Sequence, residues 1–474
     1  MLPMTSRTPV ERLDGLPFTR KHGRILTGSG IGWALDAMDV GLISFIIAAL
    51  VQHWGITTGE SGLIVSIGFA GMAVGASLGG LLADRIGRRQ VFALTLLVYG
   101  LATGASALVG GVGLLLVLRF IVGFGLGAEL PVASTYVSEF APARIRGRLI
   151  VILEAFWAVG WTAAALIGYF LVPVSEHGWR WAFALGAVPA FYAMIVRWGL
   201  PESPRWLLGR GRVDEAEKII AEFERSAGRI APAQPVGSPA EAGAPAAGEQ
   251  VVGSASEQAE GAGTPAAEQT IARSAGQRLA ALWSREFRVR TLSVWLVWFC
   301  VNFAYYGAFI WIPSILVEAG FPLVKSFGFT LIITLAQLPG YAVAAWLIEV
   351  WGRRLTLSVF LVGSAASAIV FGTVHSEPAI IASGMALSFF NLGAWGALYA
   401  VTPEIYPTSL RATGAGWAAG VGRIASIIAP LLVPLMLASG GAGLTFTVFS
   451  AFFIVAAAAA WGLIDRGGKA LDDR

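Results

Sequence analysis

ADRIGRR, residues Ala83 to Arg89, recurs as IEVWGRR at Ile348 to Arg354, and SEFAPARIRG, Ser138 to Gly147, recurs as PEIYPTSLRA at Pro403 to Ala412. Both recurrences keep one offset of 265 residues, so Asp84 answers to Glu349, Glu139 to Glu404 and Arg146 to Arg411. Two separated motifs in one register mean that the chain is built from two parallel repeats. Long apolar runs surround them. At 56% hydrophobic and 13% charged residues, with a mean hydropathy of +0.70, the composition is that of a polytopic membrane protein.

Reading outward from the motifs, apolar spans fall near 26–50, 62–83, 91–110, 112–136, 150–173 and 179–199, then near 291–317, 325–349, 356–374, 378–401, 413–437 and 442–464. The expected architecture is all-α, with twelve transmembrane helices in two six-helix repeats, 26–199 and 291–464. The run at 26–50 is too long for a signal-peptide core and lacks a cleavage site, so it stays as the first span. A polar, basic N-terminal segment (1–25) and a short tail (465–474) flank the repeats.

Residues 200–290 join the halves. They open with PESPRWLL (Pro201 to Leu208) and the amphipathic pattern DEAEKIIAEFER, then pass into an Ala/Gly/Pro/Glu tract at 230–272 with five Glu and no Lys or Arg. That tract has too little apolar surface to offset its ordering entropy and is expected to be disordered.

Loops after even-numbered spans carry Arg85, Arg88, Arg89, Arg144, Arg146, Arg148, Arg353, Arg354 and Arg411, against Arg180 and Lys325 after odd-numbered ones. The positive-inside rule therefore puts both termini in the cytoplasm of a multi-pass plasma (inner) membrane protein. The same clustering sets nucleic acid aside as the partner of a chain with net charge +4. The single cysteine, Cys300, excludes a disulfide framework. None of the four histidines (His22, His53, His177, His375) is mid-membrane, and neither a nucleotide loop nor a metal motif is present in the sequence, so an enzyme is not expected and no cofactor is implied.

GLLADRIGRR (Gly80 to Arg89) ends the second span with an aspartate, two glycines (Gly80, Gly87) and three arginines, a set that can latch a neighbouring helix end through charge and dipole. In the fourth span Arg119 precedes Gly123, Gly125 and Gly127, a spacing that lets helices approach closely. Together with PESPRWLL and the repeated Glu-Pro-Arg segment (Glu139 and Arg146; Glu404 and Arg411), these motifs make the chain resemble the major facilitator superfamily over essentially its whole length. Glu349 and Arg353 take the corresponding latch positions in the second repeat.

Within that superfamily, GWALDAMDVGLISF (Gly32 to Phe45) resembles the first span of aromatic-acid/proton symporters, while ELPVASTYVSE (Glu129 to Glu139) and LSFFNLGAWGALYAVTPE (Leu387 to Glu404) are most similar to bacterial niacin permeases. The sugar-porter branch fits less well: where it carries glutamines in spans five and seven, this chain reads LEAFWAVGW (Leu153 to Trp161) and FAYYGAFIWIP (Phe303 to Pro313).

Ionisable groups inside a bilayer cost roughly 2.5 to 3.5 kcal/mol each on insertion scales, so each needs a partner or a task. They are Asp36, Asp39, Arg119, Glu129, Glu154 and Arg423. The resemblance gives Asp39 and Arg119 the place of a proton-coupling pair; the plain alternative is a structural ion pair. Asp36 is either a second proton carrier or a hydrogen-bonding partner. The resemblance turns Arg423 toward an anionic substrate, the alternative being an ion pair with Glu129 or Glu154. Helical spacing groups Trp298, Asn302 and Tyr305 (with Tyr306) on span seven, Asn391, Trp395 and Tyr399 on span ten, and Trp157 and Trp161 with Glu154 on span five, as aromatic faces for substrate. Prolines 313, 339 and 430 are expected to break spans seven, eight and eleven.

The function these readings imply is proton-coupled uptake of nicotinate by alternating access, in a chain expected to be monomeric. Symport of another small aromatic acid such as a benzoate derivative is the alternative, with a sugar porter or a non-transporting sensor further off.

Overall fold

A computed structural model describes residues 8–228 and 275–463; the low-complexity tract at 230–272 and the tail at 465–474 lie outside the described residues. Eighteen α-helices follow in order: α1 Pro9–Asp14, α2 Arg20–Trp54, α3 Thr58–Ile86, α4 Arg88–Ser106, α5 Val112–Phe140, α6 Arg146–Phe170, α7 Gly178–Leu185, α8 Val188–Gly199, α9 Pro204–Gly209, α10 Val213–Ser226, α11 Ala275–Leu282, α12 Arg288–Phe309, α13 Ile312–Glu318, α14 Leu323–Leu335, α15 Gln337–Trp351, α16 Arg353–Thr373, α17 Glu377–Val401 and α18 Thr408–Ala460. α7 with α8, α12 with α13, and α14 with α15 each make one interrupted span.

At 53 residues, α18 would run roughly 80 Å at ~1.5 Å per residue, far beyond a hydrocarbon core of about 30 Å. It is divided at Gly440 and Gly441, where Gly441 takes φ 64°, a left-handed value that needs no Cβ. The division makes twelve crossings. Pro313 sits in the first turn of α13, and the eighth span breaks at Ala336, just ahead of Pro339. The expected break at Pro430 does not occur: the helix carries both Pro430 and Pro434 and yields only at the glycine pair, where the backbone is least constrained. Likewise α2 starts at Arg20, earlier than the apolar run, because Thr19 and His22 close a capping box there.

The repeat is visible in the backbone. Gly87 (φ 108°, ψ 152°) turns the chain from α3 into α4, and Gly352 (φ 85°, ψ 169°) turns it from α15 into α16 in the same region of conformational space.

Two glycines of the fourth span face α3. A Cβ at Gly123 would lie 1.9 Å from the Gly68 carbonyl oxygen, one at Gly127 would lie 2.0 Å from that of Met72, and one at Gly75 of α3 would lie 1.9 Å from that of Phe124. α3 and α5 therefore touch backbone to backbone, the close approach that small residues allow in a membrane. Gly125 faces the other way, onto Tyr99 of α4.

The halves meet at the end carrying the α2–α3 turn. Gly62 packs on the Pro430 carbonyl, the Ser66 hydroxyl donates to the Ile427 oxygen at 2.8 Å, and Phe45 meets Phe327 edge-on at 5.1 Å. Deeper, Phe69 packs on Tyr306 at 4.6 Å and the Trp157 indole donates to the Tyr305 hydroxyl at 3.1 Å. At the opposite end a layer of short helices joins the first half: Arg12 of α1 binds Glu217 (2.9 Å) and Glu224 (2.8 Å) of α10, and Asp14 receives Arg146 (2.7 Å) and Arg205 (2.6 Å).

The backbone contact predicts that Gly123→Val destabilises the fold by at least about 3 kcal/mol, the upper range for overpacking, because a carbonyl cannot move aside as a side chain does. Thermal unfolding in detergent should show a lower midpoint and poor yield, whereas Gly80→Ala, with open space around its Cβ position, should behave as wild type.

Candidate functional site: a central aromatic cavity and a buried ion pair

Between the halves lies a narrow cavity of about 80 Å³, lined by Trp33 of α2, Glu154 and Trp157 of α6, Trp298, Asn302, Tyr305 and Tyr306 of α12, Tyr341 of α15, Trp395 and Tyr399 of α17, and Ala419 and Arg423 of α18. The rings form a connected wall: Trp298 stands edge-on to Trp395 (5.7 Å) and Tyr399 (5.2 Å), Trp395 stacks with Tyr399 at 5.6 Å, and Tyr305 meets Trp395 at 5.6 Å. Trp33 and Trp157 close the other side at 4.9 Å.

Two residues expected on the wall stand behind it. Trp161 packs edge-on against Tyr305 and Phe309 and is 1% exposed, and Asn391 is fully buried without reaching the cavity. The reason is angular: a 3-4 or 4-4 spacing spreads a stripe across a helix face wider than the arc that meets a narrow cavity. Trp33 and Tyr341 are the converse, lining residues that sequence reasoning missed. Trp33 sits three residues ahead of Asp36 on the charged first span, the one signal that could have found it.

Asn302 is held in place rather than free. Its amide donates to the Trp298 carbonyl at 2.7 Å and its oxygen accepts from Ser426 at 3.1 Å, which ties α12 to α18 beside Arg423. The Arg423 guanidinium reaches Met72 of the opposite half, with Nη1 3.9 Å from the sulfur. Among the described residues no carboxylate lies within ion-pair distance of it, so the alternative, an ion pair with Glu129 or Glu154, is not formed. Glu129 is remote: it lies between α2 and α4, and a Cβ at Gly32 would be 2.7 Å from its Oε1.

Asp39 and Arg119 do pair, Nη1 to Oδ2 at 3.2 Å. The Thr103 hydroxyl completes the group by donating to Asp39 Oδ1 at 2.6 Å while accepting from Arg119 Nη2 at 3.2 Å. The guanidinium also lies over the Phe183 ring at 5.3 Å. Both charges are buried, yet both border a second crevice between the halves, shared with Phe69, Met72 and Ile310. Asp36 does not join them. It turns away, toward Glu129 and the Tyr99 hydroxyl, and neither carboxyl finds a partner at hydrogen-bonding distance.

At the far end, Arg88 binds Asp84 (2.8 Å) and Glu139 (3.2 Å), and in the second half Arg353 binds Glu404 (3.3 Å). Glu202 of PESPRWLL, unassigned by sequence, accepts from the backbone N–H groups of Arg88 (3.0 Å) and Arg89 (3.1 Å), a carboxylate at a helix N-terminus. Arg146 serves Asp14 instead of the latch, Arg85 and Glu349 are exposed, and the side chain of Arg411 lies outside the described residues.

Twelve spans in two parallel halves around a central cavity define a secondary transporter of the major facilitator type. The chain belongs to the sugar (and other) transporter family of that superfamily, whose family model matches residues 38–463. It is 46% identical over 454 residues, 95% of either chain, to the niacin transporter NiaP of Acinetobacter baylyi, and 44% identical over 433 residues, 91% of this chain and 92% of the relative, to the putative niacin/nicotinamide transporter NiaP of Bacillus subtilis. In fold it is similar to the partially occluded inward open conformation of the xylose transporter XylE from E. coli, with a TM-score of 0.71 and 19% identity, covering 96% of this chain and 100% of that one.

Thr103→Val keeps the volume of the side chain but leaves Asp39 and Arg119 each short of a bond in a buried site. Hydrogen bonds to charged groups are worth roughly 1.5 to 3 kcal/mol. The unfolding midpoint should fall accordingly, and Thr103→Ser should restore it.

Proposed function

We propose that this protein imports nicotinate across the plasma (inner) membrane, coupled to protons, with both termini in the cytoplasm and the present structure closed on the outer side. The observation that carries the reading is Arg423, a guanidinium facing an aromatic cavity with no carboxylate at ion-pair distance among the described residues. An arginine stays charged in such a place, so the missing negative charge is supplied by what enters. A flat aromatic acid fits the wall: its carboxylate takes the planar fork of Arg423, and its ring stacks on Tyr305, Trp157 or Trp395. The two NiaP relatives support the particular acid by their names and their near full-length similarity.

In this proposal Asp39 and Arg119 are the proton switch. Protonation of Asp39 releases Arg119, and the change of partners biases the halves toward one side. Asp36 belongs to the same proton-handling region. The latch residues from Gly80 to Arg89, with Glu139, Glu404 and Arg353, hold the cytoplasmic ends of each half. The halves at 26–199 and 291–464 then move as bodies on the connecting segment, and the working unit is a monomer.

Two outcomes test this in proteoliposomes with an imposed pH gradient. Asp39→Asn keeps the shape of the carboxyl but cannot titrate, so nicotinate exchange should persist while uphill accumulation fails; accumulation that survives removes Asp39 from the switch. Wild type should prefer nicotinate to nicotinamide by about ten-fold or more, the equivalent of a charged hydrogen bond, and Arg423→Gln should abolish the preference. Equal competition by nicotinamide in wild type would refute the anion site.

A further inference from the structure

Among the described residues, Glu154 is the one acidic side chain on the cavity wall. It enters from α6 in the first half while Arg423 enters from α18 in the second, and the two face the same space without forming an ion pair. Glu154 is 5% exposed. The groups around it are Arg423, the hydroxyls of Tyr306, Tyr341 and Tyr399, and the indole N–H of Trp33. Among the described residues no cation lies at ion-pair distance of this carboxyl, and a carboxyl without one is less costly to bury with its proton on. As an acid it presents one acceptor oxygen and one O–H donor. Trp33 stands beside it on the wall, and the carboxyl opens on the same cavity that Arg423 faces.

A carboxylate on Arg423 with its ring between aromatic walls has one feature left to recognise, the atoms in the ring plane. Of the two aromatic acids considered, a benzoate offers only C–H there. A pyridine carboxylate offers a nitrogen lone pair, an acceptor in the plane of the ring. We propose that Glu154 is the specificity-determining residue that reads this ring nitrogen, sharing its proton with it while Arg423 holds the carboxylate. The proton lies on Glu154 in the empty cavity and between oxygen and nitrogen in the complex, so none is consumed. This rests on the nicotinate reading and adds to it: Arg423 separates acid from amide, and Glu154 separates pyridine from benzene.

Competition against labelled nicotinate uptake in proteoliposomes of the full-length protein tests the assignment, with benzoate and nicotinamide as competitors. Wild type should discriminate against benzoate by roughly ten-fold or more, because benzoate leaves a buried donor unpaired. Glu154→Gln, whose amide still donates, should keep most of that preference. Glu154→Leu should bring benzoate to within about two-fold of nicotinate while nicotinamide remains the weak competitor that Arg423 makes it. Nicotinate uptake with equal competition by benzoate in wild type overturns the role of Glu154 and leaves the transport reading standing. So does a Glu154→Leu protein that transports nicotinate and still rejects benzoate. Absence of nicotinate uptake by wild type overturns both. The wild-type competition decides the point even where a variant fails to fold.

Discussion

Two arginines within the membrane-spanning bundle, Arg119 buried and Arg423 part-buried, must be neutralised, and the protein meets that demand in two different ways. Arg119 is satisfied internally by Asp39, Thr103 and the face of Phe183, a closed group within the first half. Arg423 is placed at the seam between the halves, where it reaches a methionine sulfur of the other half. A charge that is costly in a low-dielectric site is tolerated when its partner arrives with function. The cavity, its aromatic wall and the position of Glu154 all follow from leaving that one guanidinium open.

Rigid halves are the condition for this arrangement. Backbone-to-backbone packing of α3 on α5 leaves little room for either helix to slide, since the obstructing atoms are carbonyl oxygens. The contacts across the seam are of another kind: ring on ring at Phe45 and Phe69, and single hydrogen bonds at Ser66 and Trp157. Bonds of that kind each contribute on the order of 1 kcal/mol net, which is the scale at which a bound ligand shifts a two-state equilibrium.

Much of this was legible in sequence because the membrane makes the pattern strict. The apolar runs and the 265-residue register gave the spans and the repeat, and the family resemblance paired Asp39 with Arg119. What could not be read is whatever depends on rotation about a helix axis. DxxD puts Asp36 and Asp39 roughly a turn apart, and that small rotation sends one to Arg119 and the other to Glu129. Trp161 and Asn391 fall behind the wall for the same reason, while Trp33 and Tyr341 come forward. Thr103 and Glu202 escaped because a hydroxyl on an apolar helix and a glutamate in a loop carry no signal until their partners are known.

The Asp39–Arg119 pair and the central cavity are distinct places, and α3, like α2, touches both. Met72 borders the crevice of Asp39 and Arg119 and also meets Arg423, while Phe69 borders that crevice and packs on Tyr306 of the cavity wall. Both contacts cross the seam. On the proposed function, a change in the partner of Arg119 acts on a surface that the second half already rests on, and an anion at Arg423 acts on the same surface from the other side. Because α3 is fixed to α5 by its glycines, it has little room to absorb either change by sliding. The remaining freedom is the angle between the halves, and the proposed coupling of proton to anion acts along that coordinate.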